Sequence, residues 1–175
     1  MNLIETTEQL SQVLMQRGWM LSTAESCTGG MISAGCTDLA GSSQWFERGF
    51  VSYSNEAKQA MLGVPNALLV EHGAVSEAVA QAMALGALNH SHAQVSLAVT
   101  GIAGPTGGSA QKPVGTVCFA WAMPSDAGPT LGASSAWVKT QTCHFNGDRA
   151  AVRLATQAHA ISQLLAWMQQ PTPPR

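Results

Sequence analysis

Charge is scarce in this chain. Asp, Glu, Lys and Arg make up only 10% of its 175 residues, and the net charge is −2. No basic run and no interleaving of basic with aromatic residues occurs, which argues against a nucleic-acid surface. An anionic ligand must therefore be held locally, by a few side chains and by backbone N–H groups. The longest uninterrupted apolar stretch, Val117 to Met123, is far too short to cross a bilayer, so no membrane role is expected. The N-terminus, MNLIETTEQL, carries acidic residues where a secretory signal carries basic ones, and it lacks an apolar h-region. The four cysteines (Cys27, Cys36, Cys118, Cys143) include no CxxC pair and no Cys/His ligand spacing, which excludes the usual disulfide frameworks and zinc sites. The five histidines (His72, His90, His92, His144, His159) show no metal spacing either, and read as structural or solvated residues. These absences point to a reduced, cytoplasmic protein that needs no metal or other cofactor.

Apolar residues, by contrast, make up 46% of the chain, and there are 17 glycines. That composition suits one domain with a real core and several tight turns. Thr6 and Gln9 resemble a capping box, with Leu10, Val13 and Leu14 at helical spacing and Gly18 closing a first helix. Residues 19–25 read as a strand and 29–38 as a small-residue helix. A second strand is expected over Phe50 to Ser54. Asn55 then caps a helix that carries Lys58 to Leu62 and is stopped by Gly63 and Pro65. Ser76 caps a further helix with Val79, Met83, Leu85 and Leu88 on its apolar face. Gln94 to Val99 reads as a strand ending in a glycine-rich loop, Thr100 to Gly108. Val114–Met123 and Ser135–Phe145 read as paired strands across a Pro/Gly/Ser-rich connection, residues 124–134. Asn146 caps a last helix running to Met168, and the tail PTPPR is expected to fray. Alternating strands and helices with one antiparallel element predict a single α/β domain over residues 1–170: a mixed sheet flanked by helices.

Four segments could carry chemistry. In Ala24-Glu25-Ser26-Cys27-Thr28-Gly29-Gly30, hydroxyls and glycines between a strand and a helix gather N–H groups where a phosphate or oxyanion would sit. A plain tight turn with Ser26 or Thr28 as N-cap explains the same residues equally well. In Tyr53-Ser54-Asn55-Glu56-Ala57-Lys58, a lysine near a helix start opposes the local dipole, which favours its neutral form. An unshifted lysine, with pKa about 10.4, is neutral only about once in 2,500 molecules at pH 7. Bringing that pKa near 7 takes about 4 kcal/mol from burial and neighbours. On residue type alone, a solvated lysine paired with Glu56 or Glu47 is the stronger reading.

The loop Thr100-Gly101-Ile102-Ala103-Gly104-Pro105-Thr106-Gly107-Gly108 allows close backbone approach to a ligand, though a hairpin connection would explain much of it. It is not a Walker loop, because no GKS or GKT follows. Arg149 and Arg153 share one helix face and could clamp a phosphate. Pairing of Arg149 with Asp148, leaving Arg153 solvated, is an equal alternative.

In order and together, TAESCTGG, GSSxWFERGFVSYSNEAK, HGAVSE, TGIAGPTGG, KPVGTV and FNGDR closely resemble the CinA C-terminal domain family, the bacterial nicotinamide-nucleotide amidohydrolases. The resemblance runs from about residue 5 to 168 and looks like the family's stand-alone form. It implies hydrolysis of the carboxamide of nicotinamide mononucleotide, independent of metal. It further implies Ser26 as nucleophile, Lys58 as general base and Tyr53 beside the pair to relay or orient a proton. Backbone N–H groups of Thr28, Gly29 and Gly30 would hold the oxyanion. Ser43, Thr100, Gly101 and Gly104 would face the substrate, and Arg149, with Arg153, would hold its phosphate. Cys27 is a rival nucleophile, but adjacent side chains at a strand end point apart, and the resemblance favours Ser26. A homo-oligomer stays open, as do a non-catalytic nucleotide-binding module and a serine hydrolase of another small amide.

Overall fold

The computed structural model describes residues 2–124 and 136–170. The expected strand-to-strand connection and the terminal tail lie outside the described residues. Helix α1 spans Leu3–Arg17. It starts earlier than Thr6 suggests, because Asn2 accepts from the Glu5 N–H while Glu5 reaches back to the Asn2 N–H. Thr6 instead sits inside the helix, its hydroxyl donating to the Asn2 carbonyl. Gly18 ends the helix in the left-handed conformation, as its position foretells.

Strand β1 (Leu21–Glu25) leads through the serine-glycine turn to α2 (Met31–Thr37). A 3₁₀ turn at Ser42–Gln44 precedes β2, which runs over Phe46–Val51 rather than 50–54. Helix α3 (Asn55–Leu62) is capped by Ser54, not by Asn55, through its bond from the Ala57 N–H. The short α4 (Asn66–His72), which the periodicity did not reveal, follows Pro65. Then come α5 (Glu77–Asn89), capped by Ser76 as expected, β3 (Val95–Gly101), β4 (Thr116–Pro124), β5 (Ala136–His144) and α6 (Arg149–Met168). Asp148, not Asn146, caps α6, since its carboxylate accepts from the Ala151 N–H.

Among the described residues the strands form one mixed sheet in the order β2-β1-β3-β4-β5. The β2-β1-β3 pairs are parallel, whereas β3-β4 and β4-β5 are antiparallel. The two-residue alternation of strands divides the core. Leu21, Val95, Leu97, Val99, Phe119 and Trp121 pack with α1, α2 and α6 on one face. Ala24, Ala98, Ala120 and Ala122 pack with α3, α4 and α5 on the other. Small residues on that second face let α5 lie close to the sheet. Its Gly86 lets α3 approach, since a Cβ there would stand 2.1 Å from the Leu62 carbonyl oxygen of α3.

This topology creates a switch point. The chain leaves β1 through α2 on one face to reach β2, then returns through α3–α5 on the other face to β3. In such sheets the crevice outside the carboxyl ends of the strands is where ligands bind.

Candidate active site

Ser26 stands at that crevice, one residue beyond β1, its N–H donating to the Val99 carbonyl of β3 at 3.0 Å. Alternation turns Glu25 toward α2, Ser26 toward α3, and Cys27 back into the cluster beneath α2 and α6. Lys58 comes from α3 and is only 1% exposed. Its Nζ lies 2.9 Å from Ser26 Oγ, 2.9 Å from the Ser52 carbonyl oxygen and 3.2 Å from the Tyr53 carbonyl oxygen. Those carbonyls are brought there because β2 stops at Val51 and the Ser52 N–H donates to the Glu25 carbonyl.

The surroundings of Lys58 favour the free amine. Among the described residues it has no ion pair. Burial lowers its pKa from the ordinary lysine value, against a smaller opposing influence from Cys27. A neutral amine has two N–H donors and one lone pair. In that neutral form the two carbonyls can take the donors and leave the lone pair for the Ser26 hydroxyl, whereas in the charged form the third N–H donates to Ser26 Oγ. The solvated lysine that residue type favours is therefore not what the fold builds.

A pocket of about 220 Å³ opens over the pair, lined among others by Ser26, Lys58, Tyr53, Thr100, Gly101 and Arg149. Cys27 also borders it, yet its side chain is buried in the hydrophobic cluster. Burial pushes the Cys27 thiol up to about 11, so it is not a thiolate near neutral pH. Thr100 donates to the Ala74 carbonyl at 2.9 Å and so fixes the α4–α5 turn, whose Ala74 and Val75 close one wall. Arg149 is exposed at the mouth. It donates to the Gly104 carbonyl at 2.9 Å and to the Tyr53 hydroxyl at 3.2 Å, spanning the opening.

The structure places four of the expected groups differently. Tyr53 lies beside the pair, but its hydroxyl accepts from Arg149 and it is its carbonyl that touches Lys58. Ser43 lies in the 3₁₀ turn before β2, at the opposite end of the parallel strands, and does not line the pocket; one strand of ~17 Å separates the two ends. Gly104 and Arg153 stand outside the lining: Gly104 holds Arg149, and Arg153 donates to the Thr28 carbonyl at 2.8 Å. Finally, two of the three backbone donors expected for an oxyanion are already used. The Gly29 N–H donates to the Ser26 carbonyl and the Gly30 N–H to the Glu25 carboxylate. The N–H groups of Cys27 and Thr28 donate to no other residue among the described ones.

The residues that sequence reasoning passed over act through the main chain or from below the site. The Ser52 and Tyr53 carbonyls carry no side-chain signal. Ala74 and Val75 belong to the motif HGAVSE, whose repeated small residues could have marked a wall. Glu25 is the most consequential omission, for it is 0% exposed and sits directly beneath the Ser26 turn.

Comparison with known proteins agrees with this architecture. A family model described as the CinA C-terminal domain matches residues 4–168. The nicotinamide-nucleotide amidohydrolase PncC of Escherichia coli K12 is 50% identical over 167 residues, covering 95% of this chain and 94% of that protein. A putative competence-damage inducible protein of Symbiobacterium thermophilum is also 50% identical, covering 94% of this chain, which spans only 38% of that longer relative. Among solved structures, the competence/damage inducible protein CihA of Agrobacterium tumefaciens superposes with a TM-score of 0.85 at 43% identity, covering 96% of each chain. A CinA superfamily protein of Klebsiella pneumoniae gives 0.86 at 37% identity, covering 96% of this chain and 98% of its own.

Proposed function

The chain belongs to the CinA C-terminal domain family, and from that footing we propose that it hydrolyses nicotinamide mononucleotide to nicotinic acid mononucleotide and ammonia, a step of pyridine-nucleotide salvage. The observation that carries the mechanism is the 2.9 Å contact between Lys58 Nζ and Ser26 Oγ, made by a buried amine without a counter-ion among the described residues.

A carboxamide is a poor electrophile, so attack needs an activated hydroxyl and a held oxyanion. Ser26 Oγ bonds to the carboxamide carbon as its proton passes to Lys58 Nζ, and the carbonyl electron pair moves onto oxygen. The N–H groups of Cys27 and Thr28 are the backbone donors left for that oxygen. Collapse of the tetrahedral intermediate breaks the C–N bond, and Lys58 returns the proton so that ammonia leaves. A water then gives its proton to Lys58 and attacks the Ser26 ester. As the ester bond breaks, Lys58 passes that proton to Ser26 Oγ, which restores the serine hydroxyl and the free amine and releases the acid.

The pocket volume fits a division of labour. At about 220 Å³ it is smaller than sites that enclose a whole drug-sized ligand, roughly 300–1,000 Å³. The pyridine ring and its carboxamide belong inside, and the ribose phosphate belongs at the mouth, where Arg149 supplies an exposed guanidinium.

The test is ammonia release, without added metal, from four substrates: mononucleotide, riboside, free nicotinamide and dinucleotide. Fastest release from the mononucleotide supports the reading. Thermal stabilisation by the mononucleotide without any ammonia would make the protein a binding module instead. Preference for an unrelated small amide would keep the chemistry and discard the substrate.

A further inference from the structure

Glu25 is a buried carboxylate without an ion-pair partner among the described residues, immediately before the nucleophilic serine. Both its oxygens are occupied. Oε2 accepts from the Thr28 hydroxyl at 2.7 Å, the Ile32 N–H at 3.0 Å and the Gly30 N–H at 3.1 Å. Oε1 accepts from the Ser33 hydroxyl at 2.7 Å and the Ser33 N–H at 2.8 Å, with the Thr23 hydroxyl farther off at 3.4 Å. Burying a carboxylate this deeply is costly unless donors surround it. Here they are mainly the orphan N–H groups at the start of α2, so the acid and the helix end satisfy each other.

We propose that Glu25 is a positioning residue for the hydrolysis described above: it clamps the turn Ser26–Gly30 from beneath and so holds Ser26 Oγ within reach of Lys58. Three facts converge on this. Glu25 joins both ends of the turn, since it is the residue before Ser26 and its carboxylate binds Thr28 and Gly30 beyond it. Its main chain also receives the Ser52 N–H, which sets the carbonyls that hold Lys58. By taking the Gly30 N–H it leaves Cys27 and Thr28 as the residues of the turn whose N–H groups donate to no other residue among the described ones, which narrows where a developing oxyanion can be held.

The donor census says what an amide would do in its place. Glu25→Gln preserves shape but replaces one acceptor oxygen with an NH₂ group. On the Oε2 side the NH₂ faces two backbone N–H groups, which cannot turn to accept. On the Oε1 side Ser33 Oγ can reverse its role, but the Ser33 N–H cannot. Either orientation pushes at least one segment of the turn away.

The inference rests on the Ser26/Lys58 reading, so its test includes a measurement independent of substrate. A crystal structure of Glu25→Gln is expected to show Ser26 Oγ beyond hydrogen-bond distance from Lys58 Nζ. On the mononucleotide, kcat should fall about 100-fold, as misplacement of a reacting group by an ångström entails, with KM within threefold because Thr100, Arg149 and the α4–α5 wall are not held by the clamp. Assays run well below the variant's melting temperature separate this from simple loss of folded protein. Should Glu25→Gln not fold, Ser33→Ala loosens the same clamp and should lower kcat about fivefold, the worth of one hydrogen bond. An unmoved Ser26–Lys58 contact with wild-type kcat, in either variant, overturns the proposal. If wild-type protein releases no ammonia from the mononucleotide, the substrate assignment fails, while the distance still decides the role of Glu25.

Discussion

Lys58 Nζ and Ser26 Oγ stand 2.9 Å apart with both side chains buried, and the other two contacts of the amine are carbonyl oxygens rather than carboxylates. Burial opposes the charge of this lysine and lowers its pKa from the ordinary value. The same contact links catalysis to pH and to stability, because one proton governs both.

The catalytic sign is that activity rises with pH. Only neutral Lys58 can accept the serine proton, so kcat/KM should climb through its depressed pKa and level off below the ordinary lysine value. Lys58→Ala should remove that limb and lower kcat by about 100- to 10,000-fold. A pH–rate profile of both proteins measures it.

The stability sign follows from the same shift. Between the depressed pKa and the ordinary lysine value, the unfolded chain holds the proton and the folded protein does not. Stability due to this group therefore rises with pH across that window, and the burial cost is felt in full below it. Thermal midpoints of wild type should gain on those of Lys58→Met as pH rises. A gap that moves the other way contradicts a neutral buried amine.

Arg149 reaches Tyr53 and Gly104 from the rim of the pocket, and in the proposed reaction its part is to hold phosphate. Arg149→Ala should raise KM for the mononucleotide by about 10- to 100-fold, the worth of a charge-assisted hydrogen bond or two. Turnover of the riboside, which lacks the phosphate, should stay within threefold. Equal losses on both substrates would assign Arg149 to the shape of the pocket instead.

Tyr53 is 61% exposed and its hydroxyl belongs to Arg149. Tyr53→Phe should raise KM about threefold, through a less firmly oriented Arg149, and leave kcat nearly unchanged. A large fall in kcat would support the proton-relay role that the sequence suggested. Steady-state kinetics on the mononucleotide separates the two.

Local rules located most of the layers. The central strands β1, β3 and β4 are buried on both faces, with β4 an almost unbroken apolar run, and α5 and α6 have strong caps and broad apolar sides, so local pattern finds them. β2 escaped because it is an edge strand, with Glu47, Arg48 and Gly49 breaking any alternation, and its register is set by β1 rather than by its own pattern. Cap positions slipped at Thr6, Asn55 and Asn146 because a suitable side chain caps only if it stands three residues before a free N–H, which depends on where packing starts the helix. In the site, the serine and lysine were legible through motif, but Lys58 alone argued for the surface. Its burial comes from the switch in topology that folds α3 across the end of β1, which no local window contains. Ser43 failed for the converse reason: its motif precedes the strand whose far end builds the pocket. The clamp made by Glu25 joins residues up to eight positions apart through backbone donors, and residue type gives no sign of it.

The most direct test compares Ser26→Ala with Cys27→Ala in ammonia release from the mononucleotide, each at its own saturating concentration. With the thiol pushed up to about 11 and packed in the core, Cys27→Ala should retain most of the wild-type kcat. Ser26→Ala should lose at least about 1,000-fold, as removal of a nucleophile entails. Full activity in Ser26→Ala together with loss in Cys27→Ala would contradict the account at its base.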